Sequence, residues 1–284
     1  MTGGGGAGTA VERKDSGTAK PAPERDGIFI KVPRHRSYPG DESSTFHDVM
    51  SHGDSRRLWW NTYATTAHET HHHANALVQR TFYLGRPCSG FYVWDGRAAI
   101  YPEPRFLKRD IAKFVPRSLR DDRFFYVWGQ WDSDEFPLYV LDEWIAYITD
   151  AKVIAEYAYL EKRPAGYRTG EGQGCIEMMV YGLALYRAIQ THDPKYLERN
   201  PDFREFLAFL CCETLASYEV TQRFPQYRWQ PEYLEKTFRK DPAAAALRSI
   251  LESLLIGSPS AARIAFGRTF GPSVILAGRI EGLD

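Results

Sequence analysis

The stretch at residues 66–75, "TAHETHHHAN", decides how the chain is read: four histidines and a glutamate fill five of the six positions from His68 to His73. Residues 55–82 contain no glycine or proline, Asp54 or Ser55 stands where an N-cap belongs, and Gly85 follows as a stop. The segment is therefore predicted to be one helix. On it, His68 and His72 project from one face a turn apart, close enough for both imidazoles to reach one ion at about 2.0–2.1 Å. Thr66, Ala67, Thr70 and Ala74 around them are uncharged, as a buried metal-binding turn requires. The competing reading is a polar histidine cluster on a helix, without chemistry.

Working outward, "GFYVWDGRAAIY" after this helix reads as two strands joined by Asp95-Gly96, a dipeptide that supplies the two positive φ angles of a tight hairpin turn. Before it, "GIFIKV" at 27–32 is a short β-branched run ending at Pro33 and suits a strand. Beyond Pro137 the chain reads as helices at 138–161, 171–190, 201–223 and 231–256, with Pro242 breaking the last. The fold class expected is α+β, mainly helical, with a small N-terminal sheet packed on the motif helix and a helical C-terminal half. Residues 1–26 are rich in Gly, Ala, Thr and Pro and read as a disordered tail; 27–284 read as a single domain.

Composition narrows the function. With 284 residues and 43% hydrophobic content, the chain can bury a sizeable core. Its 36 basic and 36 acidic residues balance, so no net field favours nucleic acid or an anionic membrane, and neither is an expected partner. The basic residues between Lys108 and Arg123 alternate with Asp110, Asp121 and Asp122 and read as a solvated face. Cys88, Cys175, Cys211 and Cys212 lack the CxxC spacing of a cysteine zinc site. No signal segment opens the chain and no apolar run approaches the roughly 18–20 residues of a membrane span, so a cytoplasmic setting is expected.

Glu69 between His68 and His72 completes an HExxH arrangement, in which two histidines hold zinc and the glutamate is the general base. "HETHH" resembles the motif of the zincin metallopeptidases. The resemblance covers these five residues and implies a zinc-dependent hydrolase, a metallopeptidase acting on a peptide or protein substrate in a cleft between a small sheet and a helical half. The metzincin extension requires Gly at 75 and His at 78, where this chain has Asn75 and Val78, so that subclass is excluded. The gluzincin type takes a glutamate from a later helix as third ligand, and "LYVLDEWIAYITDAKV" is the segment that fits. There Glu143, Tyr147 and Asp150 form one polar stripe on an otherwise apolar helix, and a carboxylate in such a stretch needs a partner such as zinc. Glu143 is the first choice, with Asp142, Glu156, Glu177 and Glu213 as alternatives. Thermolysin-like proteins have Asn-Glu with an Asp four residues later; here Asp142 precedes Glu143 and Asp150 comes seven later.

Tyr147 is read as a hydrogen-bond donor to a developing oxyanion, against the simpler role of a core tyrosine. Asp150 is read as orienting a ligand histidine, and His71 as a residue bordering the cleft or supporting a ligand. His73 is read as supporting a ligand or lying at the surface, and His35, His47, His52 and His192 form no ligand pattern. A peptide substrate would lie along an edge strand, for which the hairpin and "GIFIKV" compete. Two other classes compete with the hydrolase. One is a non-catalytic zincin-like metal-binding or assembly protein. The other is a carboxylate-bridged di-iron protein, for which Glu69 and His72 give one ExxH pair but the sequence has no second.

Overall fold

Thr62 starts the motif helix. Its backbone is extended, its hydroxyl accepts from the Thr65 amide at 3.1 Å, and helix α2 then runs Tyr63–Thr81. The computed structural model describes residues 24–39, 44–54, 62–120, 122–130, 133–159, 171–224 and 238–257. The predicted cap at Asp54 or Ser55 is corrected by Thr62, because a side-chain oxygen there satisfies a first-turn amide and begins the helix anew; residues 55–61 lie outside the described residues. Helix α1, Thr45–His52, precedes it, capped by Ser44.

The hairpin forms from β3, Cys88–Tyr92, and β4, Arg97–Pro102. Asp95 and Gly96 take φ of 54° and 66°, and the Arg97 amide closes the turn on Trp94 O at 3.1 Å. Trp94 adds a third positive φ, 61°, which a bulky residue rarely adopts. Its indole is buried, donates to Thr149 Oγ1 at 3.1 Å and lies under Lys152 Nζ at 4.4 Å, so tertiary contacts hold the strained backbone.

Strand β2, Phe29–Lys31, lies between β4 and the short β1, Arg25–Asp26, giving an antiparallel sheet ordered β1-β2-β4-β3. Two residues of the predicted tail thus belong to the sheet, while residues 1–23 lie outside the described residues. "GIFIKV" is an inner strand, which removes it as an edge for substrate.

One side of the sheet rests on helix α7, Phe203–Gln222: Phe29 meets Phe209 edge-on at 5.1 Å, and Tyr101 meets Phe203 at 5.0 Å. The edge strand β3 packs on α2 so closely that a Cβ at Gly90 would lie 2.4 Å from Gln79 N. Helix α4, Tyr139–Tyr159, lies between α2 and α5, Glu171–His192, and also touches α7. Its fully buried Trp144 donates to Thr214 Oγ1 on α7 at 2.8 Å. Helix α3 spans Asp122–Gly129, α6 Lys195–Arg199 and α8 Ala245–Gly257. A 3-10 turn at Pro242–Ala244 precedes α8 and marks the predicted break; the predicted start at 231 lies outside the described residues. The fold is mainly helical with one small antiparallel sheet. None of the described helices is long and apolar enough to cross a membrane.

Between Lys108 and Arg123, Arg109, Lys113 and Arg117 are exposed, as a solvated face requires, and Lys108 departs from it. Lys108 is buried, its ammonium donating to Val127 O, Gln130 O and Ser133 Oγ at 2.8, 2.8 and 2.6 Å. Three donors meet three acceptors at the C-terminal end of α3, where a cation is favoured.

Candidate metal centre

Helices α2 and α4 bring His68, His72 and Glu143 together, with one ligand atom from each lying within 4.8 Å of the others. The two imidazole rings stand a turn apart on α2 with centroids 4.9 Å apart, and His68 Nε2 faces Glu143 Oε2 at 3.8 Å. Glu143 is fully buried. Its Oε1 accepts from the Tyr139 phenol one turn earlier on α4, but Oε2 has no hydrogen-bond partner. A buried carboxylate oxygen left this way costs several kcal/mol unless a cation meets it. The donor set therefore fits a metal ion.

The other nitrogen of each histidine is already committed. His68 Nδ1 meets Asp150 Oδ2 at 2.8 Å, and His72 Nδ1 meets Asp142 Oδ2 at 2.9 Å. A carboxylate needs a donor, so Nδ1 of each ring carries a proton, and Nε2 is the nitrogen at which a metal ion would take the place of a second proton. The local field is strongly negative. Burial disfavours imidazolium at both rings, yet the facing carboxylates prevail: Asp142, helped by Glu143 and Glu69, raises His72 to about 10, and Asp150 raises His68. Asp142 is held below the usual carboxylate range in spite of burial, by His72 and by a hydrogen bond from Asn75. Asp150 moves up, because burial outweighs His68.

Glu69 is half-buried and lies between the two histidines of this group in the chain. Tyr147 places its ring edge-on against His68, centroids 4.9 Å apart. Its phenol, pushed up by burial against the opposing charge of Arg123, shares a hydrogen bond with that guanidinium, which also lies 5.4 Å from the ring centre. Arg123 is anchored in turn by Glu177 at 2.5 Å.

The other acidic residues weighed as third ligand are committed elsewhere. Glu177 holds Arg123, Glu213 faces Lys152 at 2.5 Å, Glu156 accepts from Thr45 at the start of α1, and Asp142 has both oxygens taken by His72 Nδ1 and Asn75 Nδ2. Glu143 is the acidic member of the histidine group among the described residues.

His71 neither borders the cleft nor supports a ligand. It is fully buried, donating through Nε2 to Tyr92 O at 2.9 Å and accepting at Nδ1 from Thr149 Oγ1 at 2.7 Å. Burial lowers it to about 4, so it is a neutral tie between the sheet edge and α4. His73 is exposed, as expected.

Strand β3 of the hairpin lies at the sheet edge, yet its outward backbone groups are largely taken. Tyr92 N donates to Asn75 Oδ1 at 2.6 Å, Tyr92 O accepts from His71, and Cys88 O accepts from Gln79 Nε2 at 2.7 Å. Phe91, Tyr92 and Trp94 are buried in the core. Beyond His72 the α2–α4 cleft continues into a pocket of about 210 Å³ bordered by Asn75, Gln79, Gly90, Phe136, Tyr139 and Asp142.

Three residues near the centre escaped sequence reading. Tyr139 falls one turn before Glu143 and Asn75 one turn after His72, so helical spacing offered a signal for both. Tyr126, exposed on α3, is pushed up by burial and by the charges of Glu143 and Glu69, and nothing in its spacing announced it. No protein-family model, curated protein or solved structure matches this chain.

Proposed function

We propose that the chain is a zinc-dependent hydrolase, a metallopeptidase of gluzincin type, with His68, His72 and Glu143 as ligands and Glu69 as general base. The observation that carries this reading is the unpartnered Oε2 of Glu143 beside two imidazoles whose Nδ1 protons are held by carboxylates. Two histidines and a glutamate match the donor set of catalytic zinc sites with one position left open. When bound, the ion supplies a Lewis acid that polarises a carbonyl and makes water easier to deprotonate. Glu69 accepts the proton released by water and passes it to the leaving group. Tyr147 accepts from Arg123, a donor only, which leaves the phenol proton free to stabilise a developing oxyanion. Resemblance alone favours a peptide bond as the target.

The reading is tested with a fluorogenic peptide library and zinc-loaded protein. Wild type is expected to cleave, and Glu69→Gln to retain zinc while losing roughly 10²–10⁴-fold in turnover. Equal turnover by the variant overturns the mechanism. One observation favours a second reading, a non-catalytic metal-binding or assembly protein: side chains of the motif helix occupy the β3 edge on which a peptide would add as a strand. Zinc uptake without cleavage across the library would select it.

A further inference from the structure

The two histidine arms of the centre are supported unequally. On the His68 arm, Asp150 uses Oδ2 for the imidazole, and its buried Oδ1 has no hydrogen-bond partner. On the His72 arm both oxygens of Asp142 are held, Oδ2 by His72 and Oδ1 by Asn75 Nδ2. Asn75 is itself buried and fixed at its other end, where Oδ1 accepts from the Tyr92 amide of β3 at 2.6 Å. Because one end of the amide must donate and the other accept, only one orientation of Asn75 satisfies both neighbours. An unbroken hydrogen-bonded path therefore runs from the sheet edge through Asn75 and Asp142 to a ligand imidazole.

We infer that Asn75 is a positioning residue for the metal, setting the orientation of Asp142 and through it of His72, so that the sheet edge fixes one ligand of the centre. The inference rests on the metal reading above. Gln79 provides the internal comparison. One turn further along the same helix, it ties α2 to the same strand through Cys88 O at 2.7 Å, but bonds no residue of the metal group. If Asn75 serves only to pin the helix to the strand, the two residues are equivalent; if it positions the ligand, they differ at the metal.

The test compares the full chain as wild type, Asn75→Ala, Asn75→Asp and Gln79→Ala. Zinc affinity is read by competition with a chelator, ligand geometry by the visible absorption of the Co²⁺-substituted protein, and stability by the thermal midpoint of the metal-free form. Asn75→Asp retains an acceptor for Tyr92 N but not the donor to Asp142, which keeps the test open should the alanine variant fail to fold. Both Asn75 variants are expected to lose about 10–100-fold in zinc affinity and to change the cobalt spectrum, while Gln79→Ala lowers the thermal midpoint and keeps both metal readouts. Asn75 variants with wild-type affinity and spectrum, destabilised as Gln79→Ala is, would overturn the inference while leaving the metal reading intact. A wild-type chain that takes up neither zinc nor cobalt would overturn both.

Discussion

His71 and His72 are neighbours on one helix and share no chemistry. His71 faces a backbone carbonyl and a hydroxyl, is fully buried, and is held neutral with its pKa lowered to about 4 by burial. His72, half-buried, faces Asp142 and Glu143, and these carboxylates raise it to about 10 against the penalty of burial. The difference lies in what the opposing elements present: neutral acceptors and donors make a histidine a structural tie, and carboxylates beside an unpartnered oxygen place it in a group that could hold a metal ion.

The strongest way to break this comparison is to remove each ring in turn. His72→Ala is expected to lose the metal, and His71→Ala to retain it while losing about 2–4 kcal/mol of stability, since a buried ring is deleted and Tyr92 O loses its donor. Metal content together with urea unfolding decides between the two outcomes; loss of metal in both variants would merge the two faces into one.

Glu103 sharpens the contrast among the acids. It is half-buried where Glu143 is fully buried, both its oxygens accept from neutral donors, Ser89 Oγ and the Leu138 amide, and desolvation pushes it from 4.5 up to about 7. The folded chain therefore keeps a proton that the unfolded chain releases, so this contribution to stability is full below about pH 4.5 and is lost as pH rises toward 7. Glu103→Gln keeps an acceptor and a donor and is expected to flatten the loss, gaining roughly 2–3 kcal/mol near pH 8 relative to wild type. Melting midpoints across pH 4–8 check it, and parallel curves for the two proteins would contradict it. A smaller effect is expected of Gly90→Ala, about 1–2 kcal/mol, because its Cβ would press on Gln79 N at 2.4 Å and part α2 from β3. Chemical denaturation reads it.

Sequence periodicity made the motif helix, the Asp95-Gly96 turn and the polar stripe of α4 legible, because each depends on spacing within one element. Periodicity says which residues share a face, and not what stands across from it. His71 was misplaced for that reason, since the carbonyl and hydroxyl that neutralise it come from β3 and α4. Thr62 was missed as a cap because other polar residues upstream offered the same signal. The inner position of β2, the third positive φ at Trp94 and the burial of Lys108 all follow from tertiary contacts. Asn75 and Tyr139 did carry a spacing signal, a turn from His72 and Glu143, but their partners became evident only when α2, α4 and β3 were brought together.

The central claim is that the unpartnered oxygen of Glu143 and the two imidazoles hold one ion. Its most direct test is elemental mass spectrometry of wild type and Glu143→Ala, both purified without added metal. The account predicts about one zinc per wild-type chain and much less in the variant. No metal in either protein, two irons per chain, or equal zinc in both would contradict it.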